Sequence, residues 1–149
     1  MTRPRVVIVG LGDTGVLTAI ALHRYADVVG ITATPEFVSG QELGLRLARP
    51  EEWERDYRIA YRRFRGLDRT RIVHGTATGL DTRERLVRVT LADGTRAEEP
   101  YDVVVVSTGV TNGFWRHPTL RDAADVDAEL ASPHQRLAAA GSVAVIGGG

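Results

Sequence analysis

Gly10, Gly12 and Gly15, in the stretch VVIVGLGDTGV from Val6 to Val16, have the spacing of a turn that wraps a pyrophosphate. Gly10 allows the tight turn, Gly12 lets the backbone approach the phosphates, and Gly15 lets the following helix pack closely on the preceding strand. Each role needs a missing side chain. Bare backbone N–H groups at the helix start, helped by its positive dipole end, then hold the anion without any lysine or arginine. Gly10, Leu11, Gly12, Asp13, Thr14 and Gly15 are therefore the first candidate ligand-binding residues. Asp13 complicates the turn, because a carboxylate about 4 Å from a phosphate is repelled by about 4 kcal/mol at an intermediate dielectric. It must point away. Two destinations are open: a local backbone N–H at the helix start, or hydroxyls of a ribose or ribityl chain beyond the pyrophosphate. Thr14 is the better phosphate partner by side chain.

Such a turn works only between a strand and a helix. Arg5 to Val9 reads as a short apolar strand, and Asp13 to Tyr25 as a helix with Val16, Ala19, Ile20 and Leu22 on one face. Ala26 to Thr32 supplies a second buried strand, so the unit should cross over right-handed. Ser39 and Glu42 form a capping-box pattern for a short helix that Pro50 interrupts, with a second helix after it. There Trp53, Tyr57, Ala60, Tyr61 and Phe64 recur at three- and four-residue intervals, which reads as a packing stripe with arginines on a solvated face. From Arg71 the period changes to short strands, with Asp93-Gly94 at a hairpin tip, as in a small antiparallel meander. Val103 to Val106 suits a strand buried on both faces of a mainly parallel sheet. RDAADVDAEL is helical, and Ser132, Pro133 and Gln135 mark another helix start. SVAVIGGG, from Ser142 to Gly149, repeats the opening pattern of a strand running into glycines.

Composition narrows the chemistry. The 149 residues, 43% hydrophobic, suffice for one α/β domain, or one domain and the beginning of another. Nineteen basic and nineteen acidic residues leave no overall field for nucleic acid or anionic lipid, so the expected partner is a small molecule. Cysteine is absent, which excludes disulfides, thiolate metal sites and an internal dithiol relay from this sequence. His23, His74, His117 and His134 have no metal-ligand spacing and read as structural or solvent-facing. With no signal-peptide pattern and no apolar run of about eighteen residues, the expected location is cytoplasmic.

With the glycine turn, the meander, the Ser107-Thr108-Gly109 strand end and the second glycine strand in order, the chain resembles the N-terminal part of a two-dinucleotide-binding-domain flavoprotein. That is the pyridine nucleotide-disulfide oxidoreductase superfamily, and the pattern most resembles its type II NADH dehydrogenase and apoptosis-inducing-factor-like group. The resemblance implies a Rossmann-like FAD-binding fold over residues 1–141, with 142–149 beginning an NAD(P)H-binding domain. It implies hydride transfer from NADH or NADPH to FAD, then to a quinone or another non-thiol acceptor, in the cytoplasm or at the membrane periphery. On this resemblance Gly10, Gly12, Thr14 and Gly15 line the FAD pyrophosphate, and Asp13 stands toward the ribityl-flavin end. Ala77 meets the adenine through its backbone, Thr108 and Gly109 close over the flavin side, and Gly147 and Gly149 belong to the NAD(P)H turn. A segment ending at Gly149 holds too little of the second fold to turn over alone.

One position departs from that pattern. Thr32 occupies the end of the second strand, where an acidic residue normally binds the ribose hydroxyls. Glu36 substitutes only if its loop folds back, and the missing carboxylate makes a 2′-phosphate harder to exclude. Arg46 and Arg49 are candidate phosphate partners, although an exposed helix face is the plainer reading. Asn112 to Pro118 could border the flavin, with Trp115 packing or stacking. The alternative function is a non-catalytic Rossmann-type nucleotide sensor, colourless where the enzyme domain carries flavin.

Overall fold

The structure is a computed structural model that describes residues 2–39, 43–110 and 119–146. β1 (Arg5–Val9) is packed on both faces, with Val6, Val7 and Ile8 buried. Burying such side chains on both faces of a strand is worth about 1.5–3 kcal/mol each. The glycine turn leads into α1 (Asp13–Leu22), and β2 (Asp27–Thr32) returns parallel to β1 from Arg5↔Asp27 to Val9↔Ile31. α1 stops at Leu22 rather than Tyr25, because the N–H groups of Tyr25 and Ala26 both turn back to the Leu22 carbonyl.

β3 (Phe37–Val38), α2 (Leu43–Ala48), α3 (Pro50–Tyr57) and β4 (Arg58–Ile59) follow. Pro50 opens α3 as expected of a residue without an N–H. Glu42 of the expected capping box lies outside the described residues. The second helix does not continue to Phe64. Arg58–Ile59 instead pairs antiparallel with Phe37–Val38, and a 3₁₀ turn covers Tyr61–Arg63. Arg58 holds that course through Glu36, Glu54 and Asp127, so it is a half-buried tie and not part of a solvated face.

β5 (Arg71–Asp81), β6 (Leu86–Leu91), β7 (Arg96–Pro100) and β8 (Val103–Val106) complete a six-stranded sheet in the order β7-β6-β5-β2-β1-β8. β8, β1, β2 and the first part of β5 run parallel, while β5, β6 and β7 form the antiparallel meander. β5 serves both, changing partner from β2 to β6 between His74 and Gly75. A Cβ at Gly75 would lie 2.7 Å from the Thr90 carbonyl oxygen, so only glycine fits this handover. Val87 and Val89 of β6 pack with Val7, Val29, Ile31 and Val73 against the second sheet face, while α1 and Phe37, Tyr61 and Leu67 cover the first. The expected α/β architecture, a Rossmann-type sheet with a small meander, is therefore the one observed.

Two further expectations are corrected here. β8 is not buried on both faces: it is the sheet edge, and Val103 and Val106 are 50% and 66% exposed. Among the described residues, β1 is its sole strand neighbour. Ser132-Pro133 does not start a helix either, because α4 (Ala123–Ala138) runs through it from a capping box of Asp122 and Asp125. Residues 142–146 take no strand partner among the described residues, and Val145 and Ile146 are exposed. Asn112–Pro118, with Trp115 and His117, and Gly147 and Gly149 lie outside the described residues.

Candidate functional site

The turn after β1 is built by exclusion of side chains. Gly10 has φ +99°, its N–H donates to the Ile31 carbonyl at 2.8 Å, and a Cβ there would lie 2.5 Å from the Ser107 carbonyl oxygen. At Gly15 an added Cβ would lie 1.9 Å from the Gly10 carbonyl oxygen. Gly12 differs, because nothing stands within 4 Å of its added Cβ. The first bond of the α1 ladder runs from Val16 N–H to the Gly12 carbonyl at 2.9 Å. The amides of Asp13, Thr14 and Gly15 therefore lie outside it, as at any helix start. Ser107 pins the turn from the end of β8, donating from Oγ to the Gly10 carbonyl at 2.7 Å and from its N–H to Val9 at 2.8 Å.

These groups open on a cavity of about 450 Å³ at the carboxyl ends of the parallel strands, where open α/β sheets bind ligands. Its wall includes Gly10, Leu11, Gly12, Asp13 and Thr14, then Thr32 and Ala77, and beside Gly10 the Thr108 and Gly109 that follow β8. Nine candidates from four separate stretches of sequence thus meet around one space. Gly15 lies beneath it, buried in α1. Asp13 is the first residue of α1, and its carboxylate takes no hydrogen bond or ion pair among the described residues. The local N–H is therefore not its partner.

The end of β2 is organised around Tyr61, a residue whose spacing in the sequence reads only as packing. Tyr61 is buried, and its hydroxyl donates to the Leu11 carbonyl at 3.1 Å and lies 3.0 Å from Thr32 Oγ1. Burial pushes the phenol above its usual range, partly offset by its bonds to Thr32 and Thr34. Thr32 is buried and bonded, and Glu36 is held by Arg58, so Glu36 does not replace the missing strand-end carboxylate. The aromatic spacing could place the Tyr61 ring inward, but nothing in it identified the hydroxyl's two partners.

Arg46 and Arg121 complete the far wall with Val126 and Glu129. Arg46 is 2% exposed rather than on a solvated helix face, lies 5.5 Å from the Trp53 ring centre and donates to the Glu129 carbonyl at 2.9 Å. Burial lowers its pKa, with Glu129 opposing. Arg49 is the exposed one, paired with Glu52 at 3.3 Å. Arg121 pairs with Glu129, its N–H reaches the Ala33 carbonyl at 2.9 Å, and its own carbonyl lies 2.9 Å from His74 Nε2. The segment before α4 is thereby clasped to the end of β2.

No family model and no curated protein matches the chain. Solved structures do. NDH2 from Plasmodium falciparum in complex with NADH superposes with a TM-score of 0.69 at 14% identity, covering 90% of this chain and 28% of that one. The sulfide:quinone oxidoreductase of Aquifex aeolicus gives 0.60 at 17% identity, covering 91% of this chain and 33% of that one. The water-forming NADH oxidase of Lactobacillus brevis, bound to NADH, gives 0.59 at 17% identity, covering 87% and 32%. At these identities the likeness is one of fold, and the chain spans about a third or less of each neighbour.

Proposed function

We propose that this chain is the FAD-binding part of an NAD(P)H-dependent flavin oxidoreductase that passes electrons to a quinone or another non-thiol acceptor. The observation that carries the reading is Gly12, whose missing side chain leaves open space beside helix-start amides at the edge of a cavity. Those amides and Thr14 would hold the pyrophosphate. Asp13 would reach hydroxyls of the ribityl chain, Ala77 would meet the adenine through its backbone, and Thr108 and Gly109 would border the flavin. Thr32, held by Tyr61, would offer the adenosine ribose a neutral partner. When bound, the flavin would supply the hydride-accepting centre, while the protein contributes position and electrostatics. Residues 142–149, with Gly147 and Gly149, would begin the NAD(P)H-binding fold. The solved neighbours support the fold on which this assignment rests.

The test is the visible spectrum of the purified full-length protein before and after anaerobic addition of NADH or NADPH. The expected result is a flavin band that bleaches with one or both donors. A colourless protein that binds NAD(H) or ADP would overturn the assignment and favour a nucleotide sensor. Thr32 in place of a strand-end carboxylate is the feature that keeps this second reading in view.

A further inference from the structure

Two carbonyls of the glycine turn are held by side chains that arrive from far along the chain. Ser107 Oγ, just after β8, donates to the Gly10 carbonyl at 2.7 Å, and the Tyr61 hydroxyl, at the start of the 3₁₀ turn, donates to the Leu11 carbonyl at 3.1 Å. Both peptide bonds are trans, so each N–H points opposite to the carbonyl of its own plane. Holding the Gly10 carbonyl therefore directs the Leu11 N–H, and holding the Leu11 carbonyl directs the Gly12 N–H. Neither N–H has a hydrogen-bond partner among the described residues. Leu11 is buried, where an unpaired backbone N–H is rare, and both residues line the cavity.

We propose that Tyr61 is a positioning residue for the diphosphate, with Ser107 as its counterpart: together they fix the Gly12 and Leu11 amides as a preset pair of donors. Successive backbone N–H groups held in place make an anion-binding concavity. The peptide plane before a glycine rotates at little cost, because no Cβ opposes either orientation. With nothing on the Leu11 carbonyl, that plane would be free to turn its oxygen toward the phosphates and repel them. A phenylalanine would fill the same core position beside Leu11, Val16 and Phe37 and leave the plane free. The hydroxyl is thus the part of Tyr61 that packing does not require, and Thr32 Oγ1, 3.0 Å away, locates it. The inference rests on a diphosphate in this turn, as in the reading above, and not on the flavin.

Calorimetric titration of the full-length protein, cleared of bound nucleotide, with ADP and then displacement of ADP by adenosine test it. A loosened fold weakens both ligands alike, whereas a misdirected amide weakens only the one that carries phosphates. Tyr61→Phe and Ser107→Ala should each lower ADP affinity about tenfold, the equivalent of one hydrogen bond, and adenosine affinity by less than about twofold. Ser107→Ala keeps the residue's own N–H bond to the Val9 carbonyl, so it reads the turn even where Tyr61→Phe folds poorly. In nitrogen-labelled protein, ADP should shift the Gly12 amide resonance of the wild type and shift it less in Tyr61→Phe. An unchanged ratio of the two affinities in either folded variant overturns the inference, and so does a Gly12 amide that responds to ADP equally in wild type and Tyr61→Phe. Wild-type protein that binds no ADP overturns it together with the reading on which it rests. A colourless protein that binds ADP with the expected ratios supports it while removing the flavin.

Discussion

A methyl group added at Gly15 would lie 1.9 Å from the Gly10 carbonyl oxygen, whereas one added at Gly12 would meet nothing within 4 Å. Gly15→Ala should therefore destabilise the protein by at least about 1–3 kcal/mol, the usual cost of overpacking. Gly12→Ala should leave thermal stability within about 0.5 kcal/mol and weaken ADP binding, which thermal unfolding and calorimetric titration would separate. Undiminished ADP affinity in Gly12→Ala would move the phosphate away from the turn. Tyr61 gives a second prediction. Tyr61→Phe strands the Leu11 carbonyl and leaves the Thr32 hydroxyl only its bonds to Thr34, costing about 1–3 kcal/mol. The wild-type phenol is raised above the ordinary value of about 10, so its contribution is intact below that pH. It is lost as pH rises toward the folded-state value, because the unfolded chain releases its proton first. Urea denaturation across that range should show a falling limb in the wild type that the Phe variant lacks.

Among the elements, α4 and α2 share a debt created by Pro133. A proline inside a helix leaves the carbonyl four residues earlier without its usual donor, and that carbonyl belongs to Glu129. Arg46 of α2 donates to it at 2.9 Å. Arg46→Leu should accordingly destabilise the protein by about 1–3 kcal/mol. Adding Pro133→Ala, which restores a backbone N–H, should recover part of that loss. A double-mutant cycle read by denaturant unfolding checks the coupling, and simple additivity would show that the two sites act independently. The same pair explains a limit of the sequence reading. Ser132-Pro133 has the composition of a helix start, and only the distant Arg46 makes its place inside α4 tolerable. The helix expected to reach Phe64 ends early for a similar reason: Arg58 and Ile59 answer to Phe37 and Val38, about twenty residues earlier. By contrast, the glycine turn was legible because its requirements are local: Gly10, Leu11, Gly12, Asp13 and Thr14 follow from it, Thr32 follows from the end of the second strand, and Ala77, Thr108 and Gly109 came only with the family resemblance. Tyr61, Ser107, Arg46 and Arg121 were not assigned their roles because each depends on a contact far away in sequence.

For the whole molecule, β8 shows where a run of apolar residues stops being informative. Four valines are what a central parallel strand needs, and the same four occupy the edge of this sheet. Whether they are covered depends on what lies beside the strand, which their own sequence does not encode. An uncharged edge strand with open N–H and C=O groups is a template for pairing with another chain. The 149-residue chain should therefore self-associate as concentration rises. Val106→Lys, placing a charge on a side chain that is already 66% exposed, should shift it toward monomer. Val104 and Val105 keep their half-buried packing in this variant, so unfolding free energy should change by no more than about 0.5 kcal/mol. Light scattering across a concentration series, with circular dichroism as the fold control, separates the outcomes. Unchanged association with the fold intact would place the sticky surface elsewhere, and the exposed Val145 and Ile146 would be the next to alter. Loss of the fold would instead show that Val106 is packed in solution, and β8 would no longer be an edge.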